Sequence, residues 1–331
     1  MNWEDDIYFQ SEFGALYENC ELGKIQDYEL QTEDGRIRHL FIRRRIPTED
    51  GKEYYDIRTP YGYGGPLLVE CKGDRSRLMA RFKEDFSAYC LKNHIVSEFI
   101  RFHPIADNAS DFSDVYDIWY NRKTVATDLQ IGANPIEDEF SSGCRKNIRR
   151  ALNKGVTCRV KEQPDSLAVF RNIYYKTMDR NKAGGYYYFD DAYFEKLLAG
   201  FGDKIVEVDA LYEDRVIASN ISLISGETIY IHLSGTLDEY LSLSPAYILR
   251  YGLTQWALDK RFRYIFHGGG RGSGEEDSLY LFKKQFGKKT SFDFYITEKI
   301  WNSEGYKEAY RDKPDTETAN EYIRRKYGER I

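Results

Sequence analysis

One order of elements occurs twice in this chain, and that repeat limits what it can fold into. Near the N-terminus three extended segments, at 24–30, 37–46 and 53–58, are separated by Glu33-Asp34-Gly35 and Glu49-Asp50-Gly51. Asp-Gly steps between β-type runs are hairpin signals. The loop Thr59-Pro60-Tyr61-Gly62-Tyr63-Gly64-Gly65-Pro66 follows. Next comes a helix whose Leu78, Phe82, Phe86 and Tyr89 recur at helical spacing behind Ser76 as N-cap. A strand at 95–103 then runs into a polar turn at 104–108. The second half opens with helices near 165–180 and 190–199 and repeats the order. Strands fall at 205–211, 216–224 and 228–235, then a loop at 236–243, a helix headed by Ser244 and Pro245, and a strand at 263–267. Asp277 heads a further helix with Leu279, Phe282 and Phe286 on one face, and a last strand lies at 292–297. Both fifth elements end in histidine, Arg101-Phe102-His103 and Tyr264-Ile265-Phe266-His267. A hairpin meander closed by a helix and a returning strand makes an α/β (α+β) unit, a mixed and mostly antiparallel sheet flanked by helices. Two such units are expected, at 1–155 and 156–331. The seam lies at a helix ending on the C-capping Gly155, and the second unit ends in a charged helical tail.

At 331 residues the chain is long enough for two domains of ordinary size. A net charge of −6, with 31% charged and 41% hydrophobic residues, excludes a disordered or collagenous chain. No apolar run approaches the ~18 residues of a membrane helix. The acidic start, Met1 to Asp6, lacks a leader pattern, so a cytoplasmic location is expected. The five cysteines (20, 71, 90, 144 and 158) form no CxxC pair and the five histidines are scattered. Neither a disulfide scaffold nor a metal centre is expected. The aromatic share is high, 15%, with 28 tyrosines. Tyrosine combines a flat apolar body with a polar tip, which suits a ligand groove as well as a core.

The element order is that of a GNAT-type acyltransferase core. There the loop and helix N-terminus after the third or fourth strand hold the donor's pyrophosphate on oriented N–H groups and the positive end of the helix dipole. Four strings, in order across about residues 20–300, resemble the FemABX-like family, which includes the peptidoglycan interpeptide-bridge aminoacyltransferases. They are Asp56 to Pro66, Arg145 to Val156, Tyr174 to Arg180 with Tyr186 to Phe189, and Gly268 to Gly270 followed by Ser278 to Gly287. The resemblance implies two fused GNAT-like domains with a substrate channel between them. It further implies N-acyl transfer from acyl-CoA or aminoacyl-tRNA to an amine of a cell-envelope precursor, a peptidoglycan stem peptide or an amino sugar. No tightly bound cofactor, no DNA partner and no transmembrane segment belong to that picture, although tRNA and a peripheral approach to a lipid-linked precursor do. Two features depart from the pattern. The pyrophosphate signature Gln/Arg-x-x-Gly-x-Gly/Ala is expected before Ser244, yet Leu237 to Pro245 contains no glycine. No pair of long heptad-bearing helices is visible in the second half. The first departure keeps open an alternative, a non-catalytic glycan or nucleotide-sugar binding protein with a degenerate donor site.

The resemblance matches Phe282-Lys283 to a Phe-Lys pair at the substrate channel, where the lysine meets a carboxylate or phosphate of the acceptor; an ammonium acts there as a point charge. In the loop, Tyr61 and Tyr63 are expected to stack on a sugar or nucleobase, and Asp56 before it to orient an amine or hydroxyl. The helix near 150 carries Arg145, Lys146, Arg149, Arg150 and Lys154. Its i, i+4 pairs form one basic stripe suited to a pyrophosphate-containing precursor or a tRNA acceptor stem. Tyr187 is placed beside the channel by the resemblance. Gly268, Gly269 and Gly270 sit between a strand and a helix, where a phosphate cradle would be built, but match neither Gx4GK[ST] nor GxGxxG. His267, Glu275, Glu276 and Asp277 flank that loop as candidate bases. Ser244, with the backbone before it, is expected at the donor carbonyl. The expected catalytic set is therefore Lys283, Asp56 and His267. Substrate contacts are assigned to Tyr61, Tyr63, Arg145, Arg149, Tyr187 and Phe282, and donor contacts to Ser244 and Gly268 to Gly270.

Overall fold

The computed structural model describes residues 2–272, 274 and 276–326, and in it the chain forms two compact units. Asn2–Asn121, Gly184–Tyr186 and the chain from Phe294 onward make the N-terminal unit; Arg122–Ala183 and Tyr187–Asp293 make the C-terminal unit. The division thus falls after Asn121, not at the seam expected near Gly155. The helix Ser142–Asn153 explains the difference. It buries Cys144, Ile148 and Ala151 in one core with Val208, Ala210, Leu249 and Leu253, so it is an integral layer of the C-terminal unit.

Strands are numbered in chain order. In the N-terminal unit β1 (Gly23–Gln31), β2 (Gly35–Ile46) and β3 (Tyr54–Arg58) form an antiparallel meander, as the Asp-Gly steps predict. β4 (Gly65–Cys71) adds antiparallel to β2, and β5 (Ile95–Arg101) pairs parallel to β3. Between β4 and β5 runs the helix Arg75–Lys92, whose Leu78, Phe82 and Phe86 bury against Phe41, Ile57 and Ile100. Its N-cap is Asp74, not Ser76; the Asp74 carboxylate accepts from the Arg77 N–H at 3.0 Å.

The C-terminal unit repeats the plan. β6 (Trp119–Asp128) leads into it, followed by the antiparallel run β7 (Thr157–Glu162), β8 (Ile205–Tyr212), β9 (Arg215–Ser225) and β10 (Thr228–Thr236). The helix Pro245–Asp259 then crosses to β11 (Tyr264–Gly268), which is parallel to β10. The repeat includes a final antiparallel neighbour for each returning strand. Val125 to Asp128 of β6 pair with β11, and the end of β12 (Ser291–Ile300) pairs with β5. In both copies a helix leads from an antiparallel strand to the returning parallel strand, from β4 to β5 and from β10 to β11.

The end of β6 also carries a tight turn. A Cβ on Gly287 would lie 2.0 Å from the Ala126 carbonyl oxygen and 2.6 Å from Val125 Cγ1. Strand backbone cannot yield as a flexible side chain would. Gly287→Ala is expected to destabilise the unit by about 1–3 kcal/mol, the usual range for overpacking. Urea unfolding measures this, and an unchanged midpoint would show that the turn is not pinned against β6.

Candidate functional site

The two parallel pairs differ in one respect that creates a site. In the N-terminal unit the seam is stitched beyond β3: the Thr59 N–H donates to Phe99 O at 3.1 Å, the Arg101 N–H to Thr59 Oγ1 at 3.1 Å, and the Gly64 N–H to Arg101 O at 2.8 Å. In the C-terminal unit, pairing between β10 and β11 covers only Thr228 to Tyr230 against Tyr264 to Phe266. Beyond that point β10 continues to Thr236 along β9, while Gly268 pairs with Val125. Register shifts at Ile231/Leu233 and at Phe266/Gly268 turn the two strands apart, as bulges commonly do beside functional sites. The strands split, and polar side chains gather in the split.

His267 is buried on β11. The Thr127 hydroxyl donates to Phe286 O at 2.7 Å, so its oxygen accepts from His267 Nε2 at 2.9 Å. That assignment leaves Nδ1 as a lone pair without a partner. Burial first, then Arg250 and Lys283, hold the imidazole well below its ordinary pKa. The expected general base therefore stays neutral and is a poor acceptor for a proton from an ammonium. Lys283, near the end of the helix Ser278–Lys284, donates from Nζ to Gly269 O at 2.6 Å. Burial and the nearby Arg250 push it down to about 7, against a smaller opposing pull from Asp277. Phe282 beside it packs edge-on to Tyr247 at 5.4 Å and to Phe286 at 5.2 Å, which anchors the backbone that carries the lysine.

The glycine loop is not the phosphate cradle expected from its sequence. Asp277 Oδ2 accepts from the N–H groups of Arg271 and Gly272, both at 3.1 Å, while Oδ1 caps the helix at Tyr280 N, 2.8 Å away. These bonds lower the carboxyl's pKa and use the N–H groups that an anion would need. The loop instead turns carbonyls to two cations, Gly269 O to Lys283 and Gly270 O to Arg122 Nη1 at 2.7 Å. Glu276 is exposed, and Glu275 lies outside the described residues.

The stretch before Ser244 is a 3-10 helix, Asp238–Leu243. Backbone acceptors already take the N–H groups of Leu237, Tyr240, Ser244 and Tyr247. Asp238 pairs with Arg180, and Glu239 with Arg215. Ser244 caps the next helix only by its left-handed backbone at φ 58°, without a side-chain bond, and its Oγ lies 3.4 Å from Arg150 Nη2. The basic helix packs beside this helix. Arg145 is occupied there, donating to Phe140 O and reaching Glu137 Oε2 at 3.2 Å, whereas Lys146 and Arg149 are exposed. Tyr187 is exposed as well, its carbonyl accepting from Tyr174 Oη at 2.8 Å.

In the N-terminal unit the tyrosine loop is well packed. Tyr61 stacks on Tyr17 at 5.1 Å, and Tyr63 meets Tyr8 and Phe294 edge-on at 5.5 and 5.2 Å. Gly62, at φ 93°, brings the backbone so close that a Cβ would sit 2.3 Å from the Tyr8 ring. Asp56 is not poised for chemistry. It is buried on β3 directly across from Arg44 and holds that guanidinium by two bonds, the Nε–Oδ1 one at 2.8 Å.

Comparison with known proteins agrees with this architecture. The acetyltransferase (GNAT) domain family matches residues 142–277, which includes the split strands and the helix between them. The UDP-N-acetylmuramoylpentapeptide-lysine N(6)-alanyltransferase of Weissella viridescens is 27% identical over 178 residues, 53% of this chain and 52% of that protein. The chain therefore spans about half the length of the curated relative it matches. The FemX crystal structure superposes with a TM-score of 0.62 at 11% identity, over 88% of this chain and 89% of FemX. The C-terminal domain of a putative lysylphosphatidylglycerol synthetase from Agrobacterium fabrum gives 0.57 at 13% identity, over 94% and 96% of the two chains. In sequence and fold the chain is similar to FemABX-like proteins.

The structure brings His267, Lys283 and Gly268 to Gly270 together at one split, and adds Arg250, Thr127 and Ser234, which the sequence did not single out. The Asp56–Arg44 pair is structural by geometry. Asp56→Ala leaves a buried guanidinium without its partner and is expected to destabilise the N-terminal unit by about 3–5 kcal/mol. Any turnover per folded molecule should be unchanged; a loss of turnover in a variant that still unfolds at the wild-type midpoint would restore Asp56 to the chemistry.

Proposed function

We propose that the chain is an N-acyltransferase that moves an aminoacyl group from aminoacyl-tRNA to an amine of a cell-envelope precursor. The observation that carries this reading is Lys283, a desolvated ammonium fixed at the mouth of the split by Phe282 and the Gly269 carbonyl. The acceptor class follows the relative's named reaction, alanyl transfer to a lysine N6 of a UDP-N-acetylmuramoylpentapeptide. Aminoacyl-tRNA is preferred over acyl-CoA because the segment 238–243 is a 3-10 helix in place of a glycine turn and carries two paired acidic residues, which disfavours a pyrophosphate there. The exposed Lys146 and Arg149 next to that helix suit an RNA backbone.

In this reading the neutral acceptor amine attacks the ester carbonyl carbon. The new C–N bond forms as the carbonyl π electrons move onto oxygen, and the Lys283 ammonium stabilises that oxyanion. Collapse breaks the ester C–O bond, and the departing ribose oxygen takes up the proton that the amine loses. Electrostatic stabilisation of this kind is typically worth a factor of ~10²–10³ in rate.

Lys283→Ala is accordingly expected to lower kcat by about 10²–10³ with little change in melting temperature. Because Lys283 titrates near about 7, its charge is present below that pH and lost above it. Wild-type kcat/KM should carry a falling alkaline limb there, and Lys283→Arg, whose guanidinium stays charged, should not. A limb that persists in the arginine variant would remove Lys283 from the rate-determining charge.

The donor is tested by melting: an aminoacyl-RNA minihelix should raise the melting temperature and acetyl-CoA should not. Arg149→Gln should raise the KM for the RNA donor and reduce its salt slope by about 1, as expected for one lost phosphate contact. A shift with acetyl-CoA alone would favour N-acylation of an amino sugar, and no shift with either donor would overturn the proposal.

A further inference from the structure

Behind Lys283 the split continues into a polar interior that neither packing nor the proposed reaction accounts for. Arg250 projects from the second turn of the helix Pro245–Asp259 and is 7% exposed. Its Nη2 donates to Ser234 Oγ on β10 at 3.2 Å, while Nε and Nη1 are buried with no acceptor. No carboxylate lies within ion-pair distance of it among the described residues. Asn220, across from Ser234 on β9, is fully buried and its Oδ1 has no partner; its amide nitrogen is used on Ser222 Oγ at 2.9 Å. His267 Nδ1 is a further unpartnered atom, on the β11 side.

Unpartnered buried polar atoms are rare in folded proteins, and a buried charge is normally paired. Here four of them, two on a cation, lie on β9, on β11 and on the helix that connects the split strands. Asp277 offsets part of the charge at Lys283, but no carboxylate acts on Arg250 among the described residues. Arg250 raises the positive potential felt by both His267 and Lys283, and the glycine-loop carbonyls neutralise neither. Among the described residues no carboxylate pairs with Arg250, so the interior carries an uncompensated cation.

We infer that Arg250, with Ser234 and Asn220, forms an anion subsite inside the split, distinct from the Lys283 contact with the reacting carbonyl, that takes a carboxylate or phosphate group of a substrate. An anion between Arg250 and His267 would accept from the two idle guanidinium nitrogens. It would also favour the imidazolium, which turns Nδ1 into a donor. The Asn220 amide, rotated by half a turn, would offer N–H groups to the same anion and Oδ1 to Ser222. The inference rests on the acyltransferase reading only for the identity of the substrate, not for the existence of the subsite.

Arg250→Met keeps the stem volume and removes the charge. Since that charge is unpaired, the variant is expected to melt above wild type when no anion is added. In the full chain, at constant ionic strength set with chloride, inorganic phosphate and 5′-AMP test a phosphate source, and acetate and succinate a carboxylate source. Wild type should be raised in melting temperature by one of these pairs, and Arg250→Met by neither. A response to phosphate and 5′-AMP assigns the subsite to a nucleotide of the donor; a response to acetate and succinate assigns it to a carboxylate on the acyl group or the acceptor. Equal responses in wild type and variant, no response in either, or a variant that melts lower than wild type, overturn the proposal. None of these measurements requires turnover. They can therefore fail while Lys283→Ala still abolishes transfer, or hold while it does not.

Discussion

Parallel strands that part after three residue pairs set the chemistry of the C-terminal unit. A continuous β10–β11 ladder would satisfy its own backbone and bring the side chains of adjacent strands into ordinary register. Two bulges prevent that, and the space between the strands is filled by His267, Ser234 and the side chains of two helices. Every polar group at the site depends on this parting. Lys283 reaches Gly269 O because β11 has turned toward β6, and Arg250 reaches Ser234 because the bulge at Ile231/Leu233 changes which side chains of β10 face the helix beneath. The N-terminal unit has the same strand order, but Thr59 and Gly64 continue its seam, so no corresponding split opens.

The two copies have accordingly taken different physical tasks. In the N-terminal unit the buried Arg44, Arg58 and Arg324 each meet a carboxylate. Arg44 holds Asp56, Asn320 Oδ1 accepts from both Arg44 and Arg58, and Tyr186 donates to Glu21 at 2.8 Å. Glu21 keeps its charge despite burial because Arg58, Arg101 and Arg44 surround it. Such a network orients elements, among them the last helix, Ala319–Lys326, through Asn320 and Arg324. In the C-terminal unit the buried cation Arg250 has no such partner among the described residues.

Much of this fold is legible in the sequence because the repeated meander alternates apolar and polar residues, and Asp-Gly steps fix its turns. Strands with little burial are less legible. β7 alternates Cys158 and Val160 with Arg159 and Lys161, yet its burial is slight, and β6 opens with the half-exposed Trp119 and Tyr120. Lys283 could be found through its phenylalanine neighbour. Arg250 could not, because it follows Leu249 in an apolar helix stripe and reads there as a solvated arginine. Asp56 misleads for the opposite reason. It precedes a conspicuous loop, but the fact that decides its role is a cross-strand register with Arg44 that only the folded sheet supplies. The glycine loop misleads in a third way, since composition shows that backbone can approach closely but not whether N–H or carbonyl groups face inward.

The missing glycines before Ser244 can now be read together with the split. A glycine-rich turn would present N–H groups to a diphosphate at the start of the helix Pro245–Asp259. This chain has a 3-10 helix in its place, whose acidic residues are tied to Arg180 and Arg215. Positive charge has not left the unit. It lies on the flank of the neighbouring helix, at Lys146 and Arg149, and inside the split, at Arg250 and Lys283. A donor held on that distribution would be gripped along its length and at its reactive end, not at a compact diphosphate. Under the proposed aminoacyl-tRNA reading that pattern suits an extended polyanion ending in an ester, and a GNAT-like core without the signature turn keeps its positive charge at other positions.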